Sequence, residues 1–340
     1  MCSRGLRELL SKSSCAGTLR EDEMKLIDFE DIKGLAIDPA NSIDWVEEGL
    51  LNKGETQLPP KTSIRPAGTL DGTFVNMMPC FVDFIGRGGV KVVSRYPHRV
   101  PALSSEILLY ESETGDCLAL LDGDWITTMR TGAVAAQAIR QLAIPGFDRL
   151  GLMGLGNTAT ATLLCVASAF SERELEIGLL RYKKQHVEFM KRFEDYGRLH
   201  FHFVDSANEL ARESQVLVSC VTVATQDFCS PDDFAPGSLL VPVHTRGFKQ
   251  CDLAFDKIVC DDEGHVASFG YYPQFKSNLV EMSDILAGRA SGRDSDAQRI
   301  IAYNVGIALH DVVFASKIYD MLAEREPSAQ LNDGLAKHWA

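Results

Sequence analysis

One segment constrains this chain more than any other: RLGLMGLGNTATATLL, residues 149–164. A short apolar run passes directly into Gly154, Gly156 and Ala159, spaced G-x-G-x-x-A, and then into Ala- and Leu-rich text without a helix breaker. A strand that turns sharply into a helix needs a residue without Cβ at the turn, which Gly154 supplies. Gly156 lets the backbone approach a pyrophosphate, and Ala159 lets the helix lie close to its strand. The N-terminus of such a helix offers unpaired N–H groups and partial positive charge to phosphates. The pattern predicts a dinucleotide site, with Gly154, Gly156, Asn157, Thr158, Ala159 and Thr222 as candidate cofactor contacts.

Strand-like and helix-like segments alternate beyond this point. LEIGLL, HFHFVD, VLVSCVT and SLLVPV read as strands; KKQHVEFMKRFEDYG and SANELARES read as helices, the latter opened by a capping box at Ser206 and Glu209. Continuous apolar strands in βαβαβ order predict a parallel, doubly wound sheet. The text before Thr127 differs. TFVNMMPCFV, GVKVVSRY, SEILLYES and LALLDG are β-rich runs, with TGD at 114–116 as a hairpin turn. SIDWVEEGLLNKG ahead of them reads as a helix from Ser42 to Gly54. TTMRTGAVAAQAIRQLA is an Ala-rich helix closed by Pro145 and Gly146, and residues 299–325 read as one long amphipathic helix. The expected fold is α/β: a Rossmann-type doubly wound parallel sheet plus an α+β substrate and dimerisation domain. Residues 1–126 and 310–340 are assigned to the second and 127–309 to the first, and the 340-residue length suits two cores. Residues 1–24 read as a loose arm.

Several function classes are disfavoured. The net charge is −13 and no basic run of useful length occurs, so nucleic acid is not an expected partner. No apolar run approaches the roughly 20 residues of a membrane helix, and MCSRGLRELLSKSSC lacks the continuous apolar core of a signal peptide. Cys220 and Cys229, like Cys251 and Cys260, are nine apart, which matches no zinc pattern. A cytoplasmic protein with reduced thiols and no metal is expected.

IRPAGTLDGTFVNMMP, GVKVVSRYP, TGDCLALLDGDWITTMRTGAVAA, the glycine loop and NVGIALHDVVFASKIYDM together resemble the ornithine cyclodeaminase/mu-crystallin family, over about residues 60–325. The resemblance implies hydride transfer between a nicotinamide and the α-carbon of an amino or imino acid, in a homodimer. It also implies that Arg65, Lys91 and Arg130 grip the substrate carboxylate, with Lys91 and Arg130 at the reacting carbon. A forked guanidinium suits a carboxylate, and a lysine inside GVKVV is odd for a core strand. Where an NAD enzyme usually carries an acidic residue, this chain has Leu179 and Leu180, followed by Arg181, Tyr182, Lys183 and Lys184. That cluster suits the 2′-phosphate of NADP, with NAD as the alternative if the lysines merely begin a solvated helix.

The chain departs from the family after Pro236 and Gly237. Cyclodeaminases carry an Asp there; an ungapped match puts Arg246 at that position and His244 near it, and Asn304 replaces a usual Ser. His244 is a candidate acid or base as well as a structural histidine. Arg246 reverses the local charge and favours a substrate with a second acidic group over ornithine. The reading is therefore an imine reductase, amino-acid dehydrogenase or opine-type synthase, with ornithine cyclodeamination and a non-catalytic binding role as alternatives.

Overall fold

The structure is a computed structural model that describes residues 23–222, 224–244, 247–324 and 329–330. Most of the expected N-terminal arm, and Arg246, lie outside the described residues. Two eight-stranded sheets form the frame. The first runs in the order Ala329–Gln330, Glu23–Ile27, Cys117–Asp122, Leu103–Glu111, Arg87–Arg95, Phe74–Val82, Thr56–Gln57, with Thr62–Ile64 also paired to Phe74–Val82. It is antiparallel except where Glu23–Ile27 lies parallel to Cys117–Asp122. The second is wholly parallel: Leu199–Val204, Leu175–Leu180, Arg149–Met153, Val216–Ser219, Leu239–Pro242, Ile300–Tyr303, Lys257–Cys260, Leu279–Glu281. Its order reverses between Arg149–Met153 and Val216–Ser219. The glycine loop leaves the first of these strands, so it opens at the switch point where such sheets bind ligands.

Sequence and structure differ at four element boundaries, each for a local reason. The first long helix is Pro39–Leu51, not a helix from Ser42, because Asp38 caps it through Ala40 N at 2.8 Å and Pro39 is preset for a first turn. The Ala-rich helix begins at Asp124, where the carboxylate holds Ser105 N at 2.6 Å. Lys183 takes a left-handed φ of 51°, which delays the start of the next helix, Gln185–Lys191, to Gln185. The expected helix over 299–325 is instead a strand, Ile300–Tyr303, and a helix, Ala308–Met321, parted at Gly306 with φ 78°.

The Ala308–Met321 helix returns beneath the antiparallel sheet and is buried on nearly every side. Gly89 permits its approach, since a Cβ there would meet Leu108 O at 2.6 Å and Val312 Cγ2 at 3.1 Å. Trp45 of Pro39–Leu51 packs edge-on against Phe314 at 5.0 Å. Lys25 Nζ closes the helix C-terminus on the Leu322 and Ala323 carbonyls at 2.9 and 2.8 Å. Lys53, just past Pro39–Leu51, reaches Asp262 at 2.8 Å, Glu281 at 2.7 Å and the Asp261 carbonyl at 3.1 Å, and so ties this layer to the carboxyl end of the parallel sheet. Among the described residues no helix is long and apolar enough to cross a membrane.

Asp124–Leu142 and the glycine-loop helix, Asn157–Ala169, touch backbone to backbone at Gly132, where a Cβ would stand 2.5 Å from Ala161 C and 2.6 Å from Thr162 N. Gly132→Ala must push the helices apart, with an expected cost of about 1–3 kcal/mol. A thermal midpoint several degrees lower is expected by calorimetry; an unchanged midpoint would mean that the helices separate freely.

Candidate active site

The site is built around a carboxylate that the sequence reading did not single out. Asp311, in the first turns of Ala308–Met321, is fully buried. Its Oδ2 lies 2.6 Å from Lys91 Nζ, as an ion pair off the line of a hydrogen bond, and its Oδ1 accepts from Arg130 Nε at 3.0 Å. Lys91 comes from the middle of Arg87–Arg95, opposite Met78 and Ile107, on the face that looks into the core. It is the inward residue of a central strand rather than an edge lysine, and it is wholly buried. Arg130 comes from Asp124–Leu142 and is 6% exposed; its two terminal nitrogens make no hydrogen bond with a described residue. Gly306 abuts the Arg130 guanidinium, and any side chain there would collide with it.

Burial works against the charge of Asp311, yet Arg130 and Lys91 hold its carboxyl below the usual range. Burial pushes Lys91 down to about 7; Arg130 acts in the same direction and Asp311 opposes. The neighbouring His310 is fully buried and pushed down to about 3, by burial first and Arg130 second, so it stays neutral.

Lys61 lies near enough to this pair to act on Arg130 and Lys91 electrostatically. Lys61 is half-buried just before Thr62–Ile64. Burial lowers its pKa, the Asp261 charge counters this, and Arg130 adds to it; Lys91 in turn feels Lys61. Arg65, one residue past the same strand, is exposed and has no hydrogen bond or ion pair with a described residue. The strand is too short for alternation to reveal which of its flanks faces inward. Lys61, Lys91 and Arg130 thus outnumber the neighbouring carboxylates Asp311 and Asp261 by one, leaving a positive charge suited to an arriving carboxylate.

The glycine loop fits a dinucleotide. Gly154 has φ 79°, and a Cβ there would stand 2.5 Å from Cys220 C and Val221 N. Gly156 has open space where a Cβ would project, and Ala159 is fully buried against the strand. Asn157–Ala169 starts with no side-chain cap and no acidic residue in its first turn, so its N–H groups face an anion site unopposed. Asn157 and Thr222 are exposed, and Thr158 is half-buried. At the end of Leu175–Leu180, Arg181 pairs with Asp205 at 3.1 Å across exposed surface, and exposed Lys183 lies 5.2 Å over the Tyr182 ring. Gly132 brings Arg130 and the loop together: Arg130 is two residues from it, about 3 Å along the helix axis.

His244 lies elsewhere. Its Nε2 is 2.6 Å from Ser219 Oγ at the carboxyl ends of the central strands, and its ring stands among Phe228 and Phe248 at 6.2 and 6.1 Å. Asp311 had a readable signal, an acid in the otherwise apolar run IALHDVVFA, which only a buried cation can offset.

Residues 31–326 match the model of the ornithine cyclodeaminase/mu-crystallin family. The chain is 26% identical over 317 residues to alanine dehydrogenase of Archaeoglobus fulgidus, covering 88% of this chain and 95% of that protein. It is 25% identical over 302 residues to nodulation efficiency protein NfeD of Rhizobium meliloti, covering 83% and 90%. Thermococcus litoralis Δ1-pyrroline-2-carboxylate reductase, solved with NADH and L-proline, shares the fold at a TM-score of 0.80 and 23% identity, covering 91% of this chain and 100% of that one.

The depressed Lys91 sets a pH dependence. The ammonium is charged below about 7 and neutral above it, so its attraction for a carboxylate is present at low pH and lost as pH rises through that value. Affinity for a simple carboxylate, measured by titration calorimetry, is expected to weaken by up to about tenfold per unit above pH 7. Lys91→Arg, whose charge persists, is expected to flatten that limb. A constant affinity from pH 6 to 9 in the unmodified protein would contradict the assignment.

Proposed function

The chain belongs to the ornithine cyclodeaminase/mu-crystallin family, and we propose that within it this protein is an NAD(P)-dependent oxidoreductase acting at the α-carbon of an amino or imino acid. The observation that carries the reading is the buried Lys91–Asp311–Arg130 group, joined by Lys61 and held beside the glycine loop through Gly132. The A. fulgidus relative is an alanine dehydrogenase, and the T. litoralis protein is an imino-acid reductase with NADH and proline bound. A bound nicotinamide supplies or accepts the hydride. The protein's part is to hold the substrate carboxylate on Lys61, Lys91 and Arg130, to seat the pyrophosphate on Gly154–Gly156 and the helix start, and to keep water from the reacting carbon. Exposed Arg181, Lys183 and Lys184 favour NADPH over NADH. Arg246, from the sequence alone, favours imines with a second carboxylate.

The test is cofactor oxidation with Δ1-pyrroline-2-carboxylate and with open-chain imines of dicarboxylic acids. Stoichiometric consumption, faster with NADPH, is expected. Lys91→Met is expected to bind cofactor nearly normally and to lose about 2–4 kcal/mol of transition-state stabilisation, one to three orders of magnitude in kcat/KM. Conversion of ornithine to proline with release of ammonia and no net cofactor use would favour the cyclodeaminase instead.

The protein acts as a homodimer in this reading. Pro79, Val90, Leu108 and Leu120 form an apolar row across the outer face of the antiparallel sheet, flanked by Met77 and Phe81, which are 39% and 42% exposed. Nothing among the described residues covers that face, and a second copy across a two-fold axis buries it. Light scattering at micromolar concentration is expected to give twice the 37.4 kDa chain mass; a monomer would contradict this.

A further inference from the structure

We infer that Asp261 is the acceptor for the substrate's α-nitrogen, opposite the cations that take its carboxylate. The inference rests on the reading above and deepens it. An amino or imino acid carries a nitrogen one carbon from its carboxylate, and that nitrogen is cationic as an ammonium or a protonated imine. Lys61, Lys91 and Arg130 answer the carboxylate and repel the nitrogen. Asp311 cannot receive it, because both its oxygens are engaged by Lys91 and Arg130. Asp262 and Glu281 are held by Lys53, and Asp262 also by His265 Nδ1 at 2.8 Å.

Asp261 remains. It follows Lys257–Cys260 at the carboxyl end of the parallel sheet and is 1% exposed. Its Oδ2 accepts from Gly306 N at 2.8 Å, and its Oδ1 has no hydrogen-bond partner among the described residues. A buried carboxylate oxygen left unpaired is costly unless a ligand uses it. Gly306 is also the residue that abuts the Arg130 guanidinium, so the carboxylate and the guanidinium flank a single glycine. The two groups therefore meet at one residue, as the two charged ends of an α-amino acid require. Lys61 is coupled to both groups. Asn304, beside Asp261 through the Cys260–Tyr303 pairing, adds a second unused polar atom, Nδ2, and is 5% exposed.

Asp261→Asn tests this, because the amide still offers Gly306 N an acceptor while the charge is gone. Binding of L-proline and of cyclopentanecarboxylate, the same ring without nitrogen, is measured calorimetrically on cofactor-loaded protein. L-Proline is expected to weaken at least tenfold and cyclopentanecarboxylate less than twofold. Equal loss for both would assign Asp261 to the framework or to Lys61 alone, and no loss for either would give it no role; each overturns the inference. If the variant does not fold, a crystal structure of the unmodified protein with cofactor and L-proline decides. The nitrogen is expected within about 3.2 Å of the Asp261 carboxylate, and a nitrogen bonded elsewhere overturns the inference. Cofactor turnover by the unmodified protein, measured separately, reports on the functional reading itself.

Discussion

The Asp311 carboxylate is the point on which the structure depends. It sits in a helix buried on almost all sides and is neutralised by two cations from two other elements, Lys91 of a central strand and Arg130 of the Ala-rich helix. Removing it would leave two buried cations side by side, and breaking a buried pair typically costs about 3–5 kcal/mol. The backbone is shaped to permit the contact. Gly89 lets the helix approach the sheet, and Gly306 leaves room for the Arg130 guanidinium. The carboxylate orients both cations, so the helix that closes the antiparallel layer also sets the chemistry of the cleft.

Substrate and cofactor sites share the same support. The Ala-rich helix carries Arg130 into the cation cluster and, two residues later, carries Gly132 onto the glycine-loop helix. The two candidate sites are therefore joined by direct backbone contact. Lys53 adds an ionic tie between the helical layer and the carboxyl end of the parallel sheet, to Asp262 and Glu281. Catalysis by orientation needs this rigidity, since misplacing a reacting atom by about 1 Å can cost a hundredfold in rate.

Much of this was legible in the sequence, and the parts that were not have physical causes. The parallel sheet and its glycine loop were readable because continuous apolar strands and a G-x-G-x-x-A turn have few other uses. Lys91 and Arg130 stood out as cations in apolar or small-residue text. Arg65 came from the resemblance, and a three-residue strand carries no periodicity that would draw attention to half-buried Lys61 before it. The loop at Gly306 was hidden inside a run with helical composition, where Asn304–Gly306 separates a strand from a helix. Asp311 and Asp261 were not singled out because their partners are distant in the chain, 181 residues for Arg130 with Asp311 and 45 for Gly306 with Asp261; Asn304 was read only as a departure from a usual Ser. Arg246 lies outside the described residues, so its charge reversal rests on the sequence alone.

If the cation cluster holds an amino or imino acid by its carboxylate, the α-carbon lies at the nicotinamide and takes the hydride. Isotope transfer tests it most directly. Reduced cofactor deuterated at C4 on the transferring face is incubated with an imino acid, and the product is examined by mass spectrometry. One deuterium is expected at the α-carbon of the amino acid, with equivalent oxidation of the cofactor, and Lys91→Met is expected to slow both by one to three orders of magnitude at unchanged cofactor binding. An amino acid formed without the label, or label transfer undiminished in Lys91→Met, would contradict it.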